Sequence, residues 1–103
     1  MAFARVAWWK MKSGKRDEAM KRMDGFLDEA KATKGYRGLI SLASISNPDR
    51  ITVISFWDSE DGMRDLQSGV YQKVVSALSD IIDGPPQVAN QEVHVFDMPK
   101  IMA

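Results

Sequence analysis

The run Trp57-Asp58-Ser59-Glu60-Asp61-Gly62-Met63-Arg64-Asp65-Leu66 joins an apolar segment to a segment that begins like a helix. The residues before it are β-branched and aromatic, which is typical of a strand, and this strand ends on a tryptophan that we expect to be exposed. Ser59 is a suitable helix N-cap, and the carboxylates of Glu60 and Asp61 suit the positive end of a helix dipole. The run therefore predicts a strand over Ile51–Trp57 that leads directly into a helix.

Turn residues and hydrophobic periodicity divide the rest of the chain into the order βαββαβ. Apolar residues at spacings of three and four mark two helical regions, whereas Asn47-Pro48-Asp49-Arg50 and Gly84-Pro85-Pro86 interrupt regular structure. Gly25 lies inside the first helix and indicates a weak point or a close packing contact, because glycine costs about 1 kcal/mol there relative to alanine. The predicted elements are a strand from Phe3 to Met11, a helix from Lys15 to about Thr33, strands Tyr36–Ser46 and Ile51–Trp57, a helical region broken at Ser68-Gly69 that continues from Val70 to Asp83, and a strand Glu92–Met98.

Both faces of the first predicted strand are apolar. Strand alternation places Val6 and Trp8 on one face and Arg5, Ala7 and Trp9 on the other. Two helices on one side of a four-stranded sheet cover only one of these faces. We therefore expect the second face to pack against the same sheet of another copy, in an obligate homodimer.

Composition limits the class of protein. The 103 residues, 45% of them apolar, suffice for one core, so we expect a single domain over residues 1–103. Lys+Arg and Asp+Glu both number 14, which favours neither a nucleic acid nor a membrane surface as partner. The absence of cysteine excludes disulfides and cysteine-ligated metals. The first residues turn polar by Lys10 and Lys12, so we expect no signal peptide, no membrane span and a cytoplasmic location.

The run from Trp57 to Leu66, called the decisive run below, also carries a family resemblance. Trp57-Asp58-Ser59-Glu60, read with Gly84-Pro85-Pro86 and a final strand, resembles the antibiotic biosynthesis monooxygenase-like (ABM) group of dimeric α+β barrels, whose members often carry Trp-Glu-Ser-Glu here. The resemblance covers roughly residues 3 to 98. It implies an α+β, ferredoxin-like βαββαβ antiparallel sheet, a dimeric α/β barrel, and a ligand pocket between the sheet and the helices.

The resemblance also implies a reaction. Members of one branch are cofactor-independent monooxygenases that act with O2 on a small aromatic or quinol-like substrate, whose own carbanion supplies the electron. The heme-degrading branch instead uses an asparagine in the first strand and a tryptophan and a histidine in the second helix. The matching positions here are Ala7, Leu66 and Val75. We therefore expect no heme and no other cofactor.

Analogy with the family selects candidate site residues. The predicted substrate pocket comprises Ala7, Trp9, Met63 and Tyr71, with the small Ala7 side chain leaving room for a flat ligand. Arg5 is the predicted electrostatic partner of a phenolate, and Tyr71 is predicted to stack or hydrogen-bond. His94 is the only histidine and is the candidate base, with Glu92 on the same strand face to orient it.

Other interpretations remain open from the sequence. Aromatic residues at these spacings also fill cores, and His94 also suits an edge or interface position. Helix capping already explains Asp58, Glu60 and Asp61, so no metal site is predicted. The chain also suits a non-catalytic barrel that binds a small hydrophobic molecule or responds to stress. Such a protein would bind its ligand without turnover. A purely structural module predicts a filled pocket instead.

Overall fold

A computed structural model describes residues 2–98, so residue 1 and residues 99–103 of the predicted domain lie outside the described residues. The elements are β1 Phe3–Lys10, α1 Arg16–Asp24, α2 Leu27–Lys31, β2 Tyr36–Ala43, β3 Arg50–Trp57, α3 Glu60–Ser68, α4 Val70–Ala77 and β4 Gln87–Glu92. The sheet has the order β2-β3-β1-β4, and all neighbouring strands are antiparallel. The predicted α+β, ferredoxin-like fold is confirmed.

The decisive run folds as predicted except at its tryptophan. The Ser59 hydroxyl accepts a hydrogen bond from the Gly62 N–H at 3.4 Å, which caps α3. The expectation that Trp57 is exposed is wrong, because its exposed fraction is 0%. Trp57 lies opposite Phe3 and Tyr36 in the sheet, on the face that the helices cover. Its indole N–H donates to the Ser55 hydroxyl at 2.8 Å, so burial leaves no unpaired donor there.

The first predicted helix is two helices. The chain leaves the α-helical pattern at Gly25, whose N–H donates to the Arg22 carbonyl three residues back at 3.2 Å. The Phe26 N–H likewise donates to Met23 at 2.9 Å. The prediction of one continuous helix from Lys15 to Thr33 is therefore wrong, and the break lies at the predicted weak point.

The end of the second helical region also differs from the prediction. The prediction of a helix from Val70 to Asp83 is wrong, because α4 ends at Ala77. The following residues pair instead with the chain after β1: Met11 forms a β-bridge with Ile82, and the Lys12 N–H donates to Ile81 at 2.8 Å.

The last strand lies earlier than predicted. The prediction of a strand over Glu92–Met98 is wrong, since β4 spans Gln87–Glu92 and pairs with β1 from Trp8 to Phe3. Its residues are mostly polar and exposed, because an edge strand is held by backbone hydrogen bonds and has little contact with the core. The prediction was misled by the apolar residues in the segment that follows β4.

The two sheet faces have different surroundings. Arg5, Ala7 and Trp9 are each 3% exposed on the helix-covered face. On the opposite face, Trp8 and Leu42 are 42% and 47% exposed, and no helix of residues 2–98 packs there. A homodimer through this face stays a prediction. Within the described part of the chain, no helix has the length and apolar character needed to cross a membrane.

Candidate functional site

A cavity of about 140 Å³ lies between the sheet and the helices. Its walls come from β1, β2 and β3 and from all four helices or the turns between them. Most of the lining is apolar, including Met23, Phe26, Val53, Leu66, Val70 and Val74. Asp24 and Ser41 also line the cavity and are exposed, which marks its solvent side. An apolar cavity with a few polar groups is the usual form of a small-molecule site.

Arg5 supplies a buried positive charge to this cavity. Its guanidinium carbon lies 4.2 Å from the centre of the Tyr71 ring, in a cation–π contact. One of its N–H groups donates to the Gln67 side-chain oxygen. Within residues 2–98, no carboxylate forms an ion pair with Arg5. Burial lowers the pKa of Arg5, and Tyr71 partly offsets this effect. The guanidinium stays charged, because an arginine side chain is not deprotonated in proteins.

Tyr71 and Trp9 form an aromatic wall beside Arg5. Their ring centroids are 5.7 Å apart, and their planes are inclined by 58°. Burial raises the pKa of the Tyr71 hydroxyl, partly offset by the charge of Arg5, so the phenol is protonated at neutral pH. The indole N–H of Trp9 is buried and has no acceptor among the described residues. The wall therefore combines stacking surface with polar donors.

The structure brings together four of the predicted site residues and separates two. Arg5, Ala7, Trp9 and Tyr71 line the same cavity. Met63 is not in the lining, because it packs with Trp57 in a neighbouring core cluster. His94 follows the end of β4, is exposed and lies outside the cavity lining. Glu92 ends β4, so the two residues do not share a strand face as predicted. The roles of all these residues stay predictions.

Sequence reasoning missed three polar residues of the site: Gln67, Asp24 and Ser41. Gln67 is the hydrogen-bond partner of Arg5, yet 62 positions separate them, and no local pattern indicates such a contact. Asp24 ends α1 beside the break between α1 and α2. A sequence analysis that recognised this break would have placed Asp24 at the end of a helix, where the cavity opens to solvent. Ser41 shares a sheet face with Val53, as strand alternation from Leu39 indicates.

The acidic residues around the start of α3 lie in a separate depression. Asp58, Asp61 and Asp65 line it together with Lys34 and Arg64. Asp58 pairs with Arg37 at 3.5 Å, and Asp61 pairs with Arg64. Across residues 2–98, no group of three or more His, Cys, Asp or Glu residues is arranged to hold a metal ion. The helix start and surface ion pairs account for Asp58 and Asp61.

Comparison with known proteins connects this cavity to a family. The family model described as antibiotic biosynthesis monooxygenase matches residues 2–76, which include every element from β1 to α3 and all of α4 except Ala77. The chain belongs to the antibiotic biosynthesis monooxygenase family. No curated protein sequence matches the chain.

Solved structures share the ABM fold with this chain at low sequence identity. A protein of unknown function from Nitrosomonas europaea has a TM-score of 0.81 at 17% identity, covering 96% of this chain and 95% of that chain. A conserved protein from Methanosarcina mazei Go1 has a TM-score of 0.75 at 20% identity, covering 87% and 90%. SnoaB, a cofactor-independent oxygenase from Streptomyces nogalater, has a TM-score of 0.77 at 11% identity, covering 96% and 98%. These similarities show the fold.

Proposed function

We propose that this ABM protein is a cofactor-independent monooxygenase that binds a small phenol or quinol as its anion and oxidises it with O2. The observation that carries the proposal is Arg5, a buried guanidinium without a carboxylate partner among the described residues, at the wall of an apolar cavity. A buried charge is costly unless it is paired. A phenolate in the cavity would supply the missing partner.

Cavity volume supports a ligand of about one aromatic ring. In another protein, an apolar cavity of about 150 Å³ binds benzene, and the volume here is about 140 Å³. The exposed Asp24 and Ser41 leave one side open, so substituents on the ring can extend toward solvent. We therefore propose a monocyclic phenol or quinol as the core of the substrate.

The proposed reaction needs no electron source other than the substrate. Loss of the phenolic proton gives a phenolate with carbanion character at a ring carbon, and transfer of one electron to O2 gives a radical pair. Recombination forms a carbon–oxygen bond at a C–H position and gives a peroxide anion, and return of the proton removed from the phenol converts it to a hydroperoxide. Loss of water breaks the O–O bond and leaves a carbonyl, so one phenol and one O2 give one quinone and one water. The substrate is oxidised, and O2 is reduced.

The residues of this chain have separate proposed tasks in that reaction. Arg5 stabilises the phenolate and the later oxyanion electrostatically. Tyr71 holds the guanidinium in place by its cation–π contact and covers the ring of the substrate. Asp24, the carboxylate in the lining, is the proton acceptor that we propose in place of His94.

Oxygen uptake with a panel of monocyclic phenols and quinols tests this function. We expect one O2 consumed per quinone formed, with the rate in Asp24→Asn lowered by about 100-fold, because general-base catalysis typically contributes this much. Asp28→Asn, a change at an exposed residue that is not in the cavity lining, is the matched control. Saturable binding without oxygen uptake would instead identify the non-catalytic ligand-binding protein. Activity unchanged in both Arg5→Ala and Tyr71→Ala, which removes the ring that contacts the guanidinium, would show that the site lies elsewhere.

We also propose that a second copy of this chain covers the open sheet face. Trp8 and Leu42 on this face are about half exposed, and the neighbouring Val6 and Ile54 are only partly buried. The Phe96 ring packs edge-on against Phe56 on this face, with ring centroids 5.3 Å apart, and is itself 60% exposed. An apolar face of this kind favours a self-complementary two-fold interface.

Trp8→Glu is expected to convert the dimer to a monomer. A carboxylate at the centre of an apolar interface would have no partner there and would lose its hydration, so we expect the dissociation constant to rise by at least about 100-fold. Sedimentation equilibrium at micromolar concentration measures this change. Ser79→Glu adds the same charge at an exposed position after α4 and should leave the dimer intact. A wild-type protein that sediments as a monomer would contradict the proposed interface.

A further inference from the structure

The structure contains two buried indoles, and within residues 2–98 only one of them has a hydrogen-bond partner. The N–H of Trp57 donates to the Ser55 hydroxyl at 2.8 Å. Trp9 is 3% exposed, and its N–H has no acceptor among the described residues. Buried polar groups are nearly always hydrogen-bonded, so an unpartnered buried donor calls for an explanation.

The position of Trp9 indicates what its acceptor is. Trp9 lines the same cavity as Arg5, and the Tyr71 ring contacts both side chains. Because they converge on one ring, the two side chains lie closer together than the roughly 13 Å between their backbone positions on the strand. Ala7, between them on the same face, has a side chain too small to fill this space.

We propose that the Trp9 indole N–H is a specificity-determining donor that binds a second, neutral oxygen of the ligand. This inference rests on the proposed function only in requiring that the cavity binds a phenol. The ligand class is then a single aromatic ring with an anionic oxygen at Arg5 and a carbonyl or hydroxyl oxygen at Trp9. The second oxygen is neutral because an indole offers one uncharged N–H, whereas Arg5 already supplies the positive charge.

Binding of two ligands of similar size tests the proposal. The ligands are 4-hydroxyacetophenone and 4-isopropylphenol, which differ in having a carbonyl oxygen or a methyl group at the same place. Calorimetry with wild-type protein and Trp9→Phe gives four dissociation constants. We expect Trp9→Phe to lower the preference for the ketone by about tenfold, as the loss of one hydrogen bond predicts. The affinity for 4-isopropylphenol should change by less than about threefold. The two phenols differ in acidity, but this difference affects both proteins equally. It therefore cancels when the ligand preference of Trp9→Phe is compared with that of the wild type.

A second measurement uses only the wild-type protein, so it does not require that the Trp9→Phe variant folds. In ¹⁵N-labelled wild-type protein, the indole N–H resonance of Trp9 should shift downfield with 4-hydroxyacetophenone and much less with 4-isopropylphenol. The same preference in wild type and Trp9→Phe, with an unshifted resonance, would overturn the role of Trp9 and indicate that water satisfies this donor. If neither phenol binds the wild-type protein, the proposed function fails together with this inference.

Discussion

Arg5→Met is expected to abolish preferential binding of phenolates and to leave the protein at least as stable as the wild type. The guanidinium is 3% exposed and has no carboxylate partner in residues 2–98, so its burial is compensated only by Gln67 and the Tyr71 ring. Methionine has a similar length and no desolvation cost. Replacing buried charges by apolar residues is often neutral or stabilising, and we expect a gain of about 1 kcal/mol in the free energy of unfolding.

A coloured ligand measures the loss of phenolate binding. The anion of 4-nitrophenol absorbs visible light, so its titration can be followed when it is bound. A site that binds the anion more tightly than the phenol lowers the pKa of the bound ligand. We expect a decrease of about 1 to 2 units in the wild type, which is the effect of one charge-assisted hydrogen bond, and no decrease in Arg5→Met.

The control for Arg5 is an arginine on the surface. Arg64→Met removes an exposed guanidinium that pairs with Asp61 on α3, and it should leave the bound ligand's pKa unchanged. Chemical denaturation measures the stability of each variant. A bound pKa that stays lowered in Arg5→Met would show that another group stabilises the anion. A loss of more than about 2 kcal/mol of stability would show that Arg5 has mainly a structural role.

Gly62→Ala is expected to cost about 3 kcal/mol of stability, which is large for the addition of one methyl group. A Cβ atom at this position would lie 2.7 Å from the Lys34 carbonyl oxygen and 2.7 Å from a ring carbon of Trp57. The carbonyl belongs to the backbone, and Trp57 is fully buried, so neither can move without disturbing the core. Thermal or chemical unfolding measures the loss.

Gly25→Ala is the matched control for Gly62→Ala. Gly25 has an ordinary right-handed backbone conformation, with φ −65° and ψ −16°, and an added Cβ would meet only the Arg22 carbonyl oxygen, at 3.3 Å. We expect a change of less than about 1 kcal/mol, in either direction. Equal effects at the two glycines would show that the close approach at Gly62 does not determine stability.

Local sequence rules predicted most of the fold. The cap at Ser59, the break at Ser68-Gly69 and the turn after Asn47 depend on neighbouring residues, and each lies where the sequence indicates it. The errors occurred where a distant contact overrides the local pattern. Ile81 and Ile82 lie in a segment with helix-like spacing, but they pair with Lys12 and Met11, which follow β1. Strand β4 is held in the sheet by β1 although its own residues are mostly polar.

The sequence by itself determined the order of the elements, the two-faced character of β1 and the exclusion of cysteine chemistry, because these depend on periodicity, turn residues and composition. Only the tertiary structure decided the site. It placed Gln67 against Arg5, left the Trp9 indole without an acceptor in residues 2–98, turned Met63 toward Trp57 and put His94 outside the cavity. The physical reason is that a cavity is formed by side chains from several elements, and their meeting depends on helix packing and strand register, which no local pattern specifies.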